Sequence, residues 1–351
     1  MTHPVSRRNF LMTSAALVTT LASLRSLQAS TRQIVVTDPG GEWQKAAAEA
    51  FYLPFEKETG VKVSYAARPH MSMGRLKAMV EAGATEWDVT VFVKGLVPLV
   101  VKQGLLEPID YAKIDKSQFI TGAVHTHFLA DHITGSMVTY SMKKFPSEGP
   151  RSWPDFWNAD KFPGRRGMFR GTFQTLEIAL LADGVSPDKL YPLDMDRAFK
   201  SLDRVKPHVH VWWTSAAQSV QLVLDGEVDI IAGWANRMYA AVAQGAPYRR
   251  VWNQAIMGFE GWAIPKGTKN RDLAMDFLVF AAKPDRQAAF ARVQPVGPTN
   301  KGAYKFIPDH IARELPTYPA NLPGLVYEDP DWIGANQAKI EERWAQWIAG
   351  V

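Results

Sequence analysis

The sequence predicts an α/β fold, because short apolar strands alternate with amphipathic helices along the chain. Residues 33–37 are predicted to form a strand, and a Gly-Gly turn leads from it into a helix with one apolar face, which carries Trp43, Ala47, Ala50 and Phe51. A second unit combines an amphipathic helix at 216–224 with a short apolar strand at 228–232. Repeated units of this kind favour a sheet covered by helices.

The stretch 213–239 contains the clearest indication of a ligand site. Its predicted strand is followed at once by Trp234, Asn236 and Arg237. Ligands of open α/β sheets bind beyond the carboxyl ends of the strands, so we expect a binding site at this edge. An ordinary αβ unit of the core explains the helix and the strand equally well, but it does not explain this cluster of side chains.

Length and composition bound the class of protein. The chain has 351 residues, of which 46% are hydrophobic and 21% are charged, as in globular proteins. This length predicts about two domains. The sequence contains no cysteine, which excludes disulfides, thiol catalysis and a lipid anchor on an N-terminal cysteine.

Residues 1–29 have the pattern of a twin-arginine signal peptide. Residues 6–11 read S-R-R-N-F-L, residues 12–24 are weakly apolar, and Ala29 offers a small residue before a cleavage site. We therefore expect export to the periplasm as a soluble protein; the alternative is a disordered basic N terminus.

Loss of this segment would change the charge of the protein. Of the 40 basic and 35 acidic residues, Arg7, Arg8 and Arg25 lie in residues 1–29, so 37 basic and 35 acidic residues remain, a net charge of +2. A strongly positive charge would be the main argument for a nucleic-acid partner. Because the remaining net charge is small, none is expected.

Several motifs resemble one protein family when they are taken in chain order. They are FEKETGVKV (55–63), WDVTVF (87–92), GLLEPID (104–110), SWPDFWNADKFPGRRGM (152–168), DGEVDIIAGW (225–234), WAIPKGTKNRDLAMDFLVFAAKPDRQAAFA (262–291) and VGPTNKGAY (296–304). The chain resembles the bacterial extracellular solute-binding proteins of ABC importers, in the branch that contains the spermidine/putrescine-binding and 4-aminobutyrate-binding proteins.

The resemblance implies a periplasmic-binding-protein-like fold of type II, with two α/β lobes around a ligand cleft and hinge crossovers between them. It also implies capture of a small molecule by hinge closure, delivery to an ABC permease in the inner membrane, a monomer, no cofactor and no enzymatic activity. The expected boundaries are 30–135 plus about 261–300 for lobe one and 136–260 plus about 301–351 for lobe two, with hinges near 134–139 and 260–264.

Two candidate ligand residues follow from the resemblance. Trp234 stands where polyamine-binding relatives have a Trp, whose ring can cover an alkyl chain and attract an ammonium. Glu260 stands where relatives place a carboxylate for an ammonium group. The alternatives are a core or hinge Trp and a hinge salt bridge.

The segment 168–179 departs from the polyamine-binding pattern. Those relatives have acids there for the far ammonium of their ligand, whereas this chain has Arg170 and Gln174 and no acid before Glu177. Two further cations, Arg237 and Lys94, follow predicted strands.

This excess of cations predicts a ligand that carries a carboxylate, because an arginine fork binds a carboxylate with two hydrogen bonds. An ω-amino acid such as 4-aminobutyrate would place its amine on Glu260 and its acid on Arg170 or Arg237. Some of these cations could instead face solvent, and for Lys94 that is the preferred interpretation.

Backbone and hydroxyl donors complete the candidate site. The loop that contains Gly41 and leads to Trp43 could offer backbone N–H groups to a polar ligand. Thr214 and Ser215 could donate to a carboxylate at a helix N-terminus, although capping of the helix explains them equally well.

Three alternatives remain. A polyamine is the main competitor within the same class of binding protein. A ferric-iron carrier is suggested by His125-x-His127 and His208-x-His210, but the adjacent tyrosine pair typical of iron carriers is missing, and no metal site is expected. An exported enzyme lacks support, since the sequence has no G-x-S-x-G, H-E-x-x-H or G-x-G-x-x-G motif.

Overall fold

The computed structural model describes residues 32–67 and 73–349. The segment 1–29, predicted to be a signal peptide, lies outside the described residues. Within the described part of the chain, no helix is both long enough and apolar enough to cross a bilayer.

The described residues form twelve strands that are linked into one sheet. They are β1 (Gln33–Asp38), β2 (Lys62–Ala67), β3 (Val89–Val93), β4 (Leu106–Glu107), β5 (Val124–His125), β6 (Phe128–Ser141), β7 (Arg166–Phe169), β8 (Val209–Trp213), β9 (Ile230–Trp234), β10 (Tyr248–Pro265), β11 (Gly297–Pro298) and β12 (Val326–Tyr327).

Helices connect these strands and cover the sheet. They are α1 (Gly41–Ala47), α2 (Leu53–Thr59), α3 (Gly74–Glu81), α4 (Val97–Lys102), α5 (Trp153–Trp157), α6 (Thr175–Ala182), α7 (Met195–Val205), α8 (Ala216–Leu224), α9 (Ala235–Ala243), α10 (Arg271–Ala281), α11 (Pro284–Val293), α12 (Asp309–Ala312) and α13 (Pro330–Ile348). A π-helical segment, Ala48–Tyr52, joins α1 to α2. The predicted α/β class is confirmed.

The long strands β6 and β10 lie in the middle of the sheet, and we call them the hinge strands. The strand order is β2-β1-β3-β10-β6-β9-β7-β8. The pairs on the outer sides, β1 with β2 and β7 with β8, are parallel, whereas β10 runs antiparallel to both β3 and β6. The hinge strands therefore join one parallel set to the other.

Buried apolar side chains form separate clusters whose limits fall within the hinge strands. The first cluster packs β1 and β3 against α1, α2, α10 and α11, and it includes Met137 and Met257. The second packs α5, α6 and α7 against β9, and it includes the adjacent residues Val138 and Ile256. The chain thus passes between the two cores once in β6 and once in β10, and these two crossings lie side by side in the sheet. The exact assignment of residues to lobes stays a prediction.

The C-terminal part of the chain packs against two different clusters. Residues 303–315 pack on Ala288 and Ala291 of α11, whereas Ile340 and Trp344 of α13 join the second core. Between them, β12 pairs with β10, and its residue Val326 is buried. The placement of residues 301–351 in lobe two stays a prediction.

The strand before the predicted site begins and ends two residues later than expected. The prediction was 228–232, whereas β9 spans Ile230–Trp234 and α9 follows without a loop. The apolar pattern alone did not indicate that Gly233 and Trp234 continue the pairing with β6. Trp234 is therefore the last strand residue, and the residues after it begin a helix.

The hinge strands approach each other most closely at Gly135 of β6. A Cβ atom at this position would lie 1.8 Å from the carbonyl oxygen of Ile256. We expect Gly135→Ala to lower the free energy of unfolding by about 3 kcal/mol, because the two strands would have to separate. Urea denaturation measures this change.

Gly74→Ala is the matched control, because a Cβ atom there meets no other atom within 4 Å. Its stability should equal or slightly exceed that of the wild type, since Ala favours a helix more than Gly does. Equal stability of the two variants would contradict the close approach of the hinge strands.

Candidate functional site

A cleft of about 680 Å³ opens beside the hinge strands. Its walls come from the loop that leads into α1, from the hinge strands, from the ends of β7 and β9, and from α13. The residues that line it are Pro39, Gly40, Gly41, Glu42, Trp43, Val93, His132, Thr134, Gly135, Phe169, Gly171, Thr172, Phe173, Trp234, Asn236, Arg237, Glu260, Val296, Gln337 and Glu341. The size and the mixture of aromatic and charged groups suit a small-molecule ligand.

A depression of about 570 Å³ lies elsewhere, near Arg32 and Asp88. Its lining contains no aromatic side chain among the described residues. Asp88 already accepts hydrogen bonds from the backbone N–H of Val35 and from Thr268 and Asn270. The cleft beside the hinge strands is therefore the better candidate site.

Arg237 supplies a positive charge to the cleft. It lies in the first turn of α9, where the helix dipole also favours an anion. Burial lowers the pKa of Arg237, while Glu42 and Glu260 oppose that change, and the guanidinium stays charged at neutral pH. Among the described residues, its buried Nε has no hydrogen-bond partner. Such a cation has a donor free for a carboxylate.

Glu260 lies opposite His132 in the pairing of the two hinge strands. The Nε2 atom of His132 is 3.3 Å from Oε2 of Glu260, and its Nδ1 atom is 3.2 Å from Oδ1 of Asp131. We call Asp131, His132 and Glu260 the ion cluster. Burial alone would lower the pKa of His132, but Asp131 and Glu260 raise it to about 10. The ion cluster therefore holds two acids around one imidazolium.

Aromatic side chains form apolar walls on both sides of the cleft. The ring of Trp234 lies 5.2 Å from that of Phe169 and 6.0 Å from that of Phe173. The ring of Trp43 lies 5.3 Å from that of Phe290. In the described part of the chain, both indole Nε1 atoms are buried without a hydrogen-bond partner. These walls can cover an alkyl chain and attract an ammonium group.

The structure brings five of the residues predicted for the site together. Gly41 and Trp43 line the cleft from the α1 side, Trp234 and Arg237 from the end of β9, and Glu260 from β10. Their contact with a ligand stays a prediction.

Arg170 and Lys94 are not among the residues that line the cleft. Arg170 is exposed, and its backbone N–H donates to the carbonyl of Trp213. The Nζ atom of Lys94 donates to the carbonyl of Gly122 at 2.8 Å and lies 5.0 Å from the ring centre of Phe259. Burial lowers the pKa of Lys94. Of the three cations proposed for a carboxylate, only Arg237 is brought to the cleft.

Thr214 and Ser215 are exposed and take part in capping α8. The Oγ atom of Ser215 accepts a hydrogen bond from the backbone N–H of Gln218, and the backbone N–H of Thr214 donates to the Gln218 side chain at 2.8 Å. Neither residue lines the cleft. The structure therefore favours the capping interpretation of this pair.

Gln174 lies behind the cleft, where its side chain holds a hinge strand. It is buried, with a positive φ of 59°, and its Oε1 accepts from the backbone N–H of Ser136 at 2.7 Å. It lines a small cavity of about 80 Å³ together with Glu177 and Glu328. Tyr191 donates to Glu177 at 2.7 Å, and burial raises the pKa of both acids, that of Glu328 to about 8.

Sequence reasoning missed several residues of the cleft, above all His132. The dipeptide Asp131-His132 interrupts the apolar residues at the start of this strand, 128–133, and this was the available signal. Phe169 and Phe173 were also missed as walls, as were Glu42 and Glu341, which lie at the rim. Their positions depend on how distant elements pack, which a single sequence does not reveal.

The histidine pairs considered for a metal lie apart from the cleft. The rings of His125 and His127 are 6.3 Å apart, whereas His208 and His210 are exposed near β8. Within the described residues, no group of three or more His, Cys, Asp or Glu side chains is placed to hold a metal ion.

Comparison with known proteins identifies the family. The family model for bacterial extracellular solute-binding proteins matches residues 50–320. The chain belongs to this family. Among its relatives, the gamma-aminobutyric acid-binding protein of Pseudomonas aeruginosa is 35% identical over 335 residues, which cover 94% of each chain. The spermidine/putrescine-binding periplasmic protein of Escherichia coli is 21% identical over 322 residues, which cover 88% of this chain and 90% of that protein.

A solved structure gives the fold of this solute-binding protein independent support. An ABC transporter substrate-binding protein from Bradyrhizobium japonicum is 37% identical and superposes with a TM-score of 0.84, over 90% of this chain and 99% of that one. The predicted family and the periplasmic-binding-protein-like fold are confirmed. These relatives are binding proteins and not enzymes.

The raised pKa of Glu328 predicts how stability depends on pH. Folding raises it from an ordinary value of 4.5 to about 8, so the folded state binds this proton more tightly than the unfolded state does. The stabilisation is fully present below pH 4.5 and is lost as the pH rises through 8. We expect Glu328→Gln to gain melting temperature relative to wild type as the pH rises from about 5 to about 9.

Glu49→Gln is the control, because Glu49 is exposed on the π-helical segment. Its melting temperature should differ from that of the wild type by the same amount at every pH. The account of Glu328 is wrong if both variants show the same pH dependence.

Proposed function

We propose that the protein is the periplasmic substrate-binding component of an ABC importer, and that it captures a small zwitterion with one ammonium and one carboxylate group. An ω-amino acid such as 4-aminobutyrate has this chemistry. Export through the twin-arginine segment and delivery to an inner-membrane permease belong to the same proposal.

The observation that carries the proposal is the presence of opposite charges in one cleft. Arg237 lines the cleft from α9, and Glu260 lines it from β10. Glu260 belongs to the ion cluster, which carries one excess negative charge. A ligand carboxylate would bind the guanidinium, and a ligand ammonium would bind Glu260. Trp43 and Trp234 would enclose the alkyl chain between them.

The relatives support a zwitterion more than a polyamine. The gamma-aminobutyric acid-binding protein of Pseudomonas aeruginosa is 35% identical to this chain, whereas the spermidine/putrescine-binding relative is 21% identical. A diamine would bring its second ammonium near Arg237, and two like charges in a partly buried cleft repel.

Hinge closure would connect binding to transport. The ligand would touch the loop before α1, the hinge strands and α9 at the same time, because all three line the cleft. The ligand would then stabilise the closed form by the difference between its affinities for the closed and the open form. The permease would recognise the closed form.

A thermal-shift panel tests the class of ligand. The panel compares 4-aminobutyrate, other amino acids, putrescine, spermidine, simple carboxylates and ferric iron. A ligand at a thousand times its dissociation constant stabilises the folded state by about 4 kcal/mol, so 4-aminobutyrate or a similar zwitterion should raise the melting temperature clearly. A shift with polyamines alone would overturn the proposal.

Substitution of the two candidate arginines tests which one binds the carboxylate. Arg237→Gln should weaken the binding of 4-aminobutyrate about 30-fold, since a hydrogen bond to a charged group contributes about 2 kcal/mol. Arg170→Gln makes the same change of charge on an exposed residue outside the cleft and should leave the affinity unchanged. Tryptophan fluorescence titration measures both.

The opposite outcome, with loss of binding in Arg170→Gln alone, would refute the assignment of Arg237. Thermal melts of both variants without ligand show whether each is folded. Arg237→Gln should fold normally, because the buried Nε of Arg237 makes no hydrogen bond with the described residues.

A further inference from the structure

His132 is the buried cation between the two acids of the ion cluster. Each ring nitrogen lies near a carboxylate oxygen, Nδ1 at 3.2 Å from Asp131 and Nε2 at 3.3 Å from Glu260, and the contact with Asp131 is a charge contact without hydrogen-bond geometry. Its side chain is 2% exposed, and the rings of Phe290 and Trp43 pack around it at 5.4 Å and 6.5 Å. A neutral imidazole carries one N–H and could donate to only one of the two acids.

The charge of the ion cluster limits what can bind beside it. Burial raises the pKa of Asp131, and the neighbouring His132 opposes that change. With both acids ionised, the two carboxylates and one imidazolium leave one negative charge on this side of the cleft, and Arg237 supplies one positive charge beside Glu42 on the other. Buried charges need partners, because burial without compensation is costly. A single ligand ammonium would bring the ion cluster to neutrality, whereas a second ammonium would have to pair with an exposed acid at the rim, Glu42 or Glu341.

We propose that His132 is a positioning residue that holds the Glu260 carboxylate in place and limits the ion cluster to one negative charge, so that the cleft accepts one ligand ammonium and disfavours a dication. This inference rests on the proposed function, since it names the group that sets the specificity of the same cleft.

The charged groups around the ion cluster agree with this role. Asp131 and Glu260 together raise the pKa of His132 to about 10, against the effect of its burial. Tyr52 interacts with Asp131, while Arg237 and Glu328 interact with Glu260. Burial raises the pKa of Glu328 to about 8, so this acid adds little negative charge at neutral pH. Arg237 stabilises the ionised form of Glu260.

The first test uses ligand-free wild-type protein. In a nitrogen-15 spectrum of labelled histidine at pH 8.5, His132 should keep the shifts of an imidazolium. An imidazole with the ordinary pKa of about 6.5 is neutral at that pH. His132→Gln, which should remove that signal, assigns it. A neutral His132 at pH 8.5 would overturn the inference, whatever ligand the protein binds.

The second test compares ligands of equal length. Gln keeps a hydrogen-bond donor near Glu260 but removes the positive charge, so Asp131 and Glu260 would compete for a proton. At pH 8, His132→Gln should lower the preference for 4-aminobutyrate over putrescine at least about tenfold. Relative to that of the wild type, its affinity for 4-aminobutyrate should fall as the pH decreases from 9 to 6.

His208→Gln is the matched control, because His208 is exposed and lies outside the cleft. It should bind as the wild type does. If His132→Gln keeps the wild-type preference and the wild-type pH profile, His132 is only a structural residue and the inference is wrong. If His132→Gln does not fold, the spectrum of the wild type still decides, because the absence of any imidazolium signal at pH 8.5 would overturn the inference without an assignment. A wild type that prefers putrescine would refute the proposed function, while the spectrum would test His132 separately.

Discussion

The antiparallel pairing of β6 with β10 is the constraint on which both the fold and the cleft depend. These strands carry the chain between two hydrophobic cores, and their pairing runs from Tyr248 opposite Ser141 to Trp262 opposite Leu129. The same pairing sets His132 against Glu260 at the floor of the cleft. A change in the relative position of the cores must therefore pass through the strands that hold the charged groups of the site.

In the proposed mechanism, this arrangement connects recognition of a ligand with movement of the lobes. Arg237 and Trp234 belong to the transition from β9 to α9, and Trp43 belongs to the helix after β1, so the walls come from different cores. Glu260 lies between them and is held by His132. A ligand that reaches both Arg237 and Glu260 would fit one closed geometry. The distance between these two residues would then select, among ligands with the same end groups, those of matching length.

The sequence allowed the α/β class, the family and the region of the cleft to be predicted, because these depend on local patterns and on ordered motifs. The strand end at Trp234 and Arg237 is such a pattern. The side-chain positions of Lys94 and Arg170 were not predictable from the sequence. The direction in which a side chain leaves a strand end depends on neighbours such as the carbonyl of Gly122, which binds Lys94. His132 was missed because its partner Glu260 is distant in the sequence, and only strand pairing reveals their contact.

We propose that one cleft binds an ammonium at Glu260 and a carboxylate at Arg237. A crystal structure of the protein with 4-aminobutyrate bound would show both contacts. We expect the ligand nitrogen at about 3 Å from a Glu260 oxygen and the ligand carboxylate at about the same distance from the Arg237 guanidinium, with the alkyl chain of the ligand between Trp43 and Trp234. A ligand in the reverse orientation, or one bound away from Arg237, would contradict it.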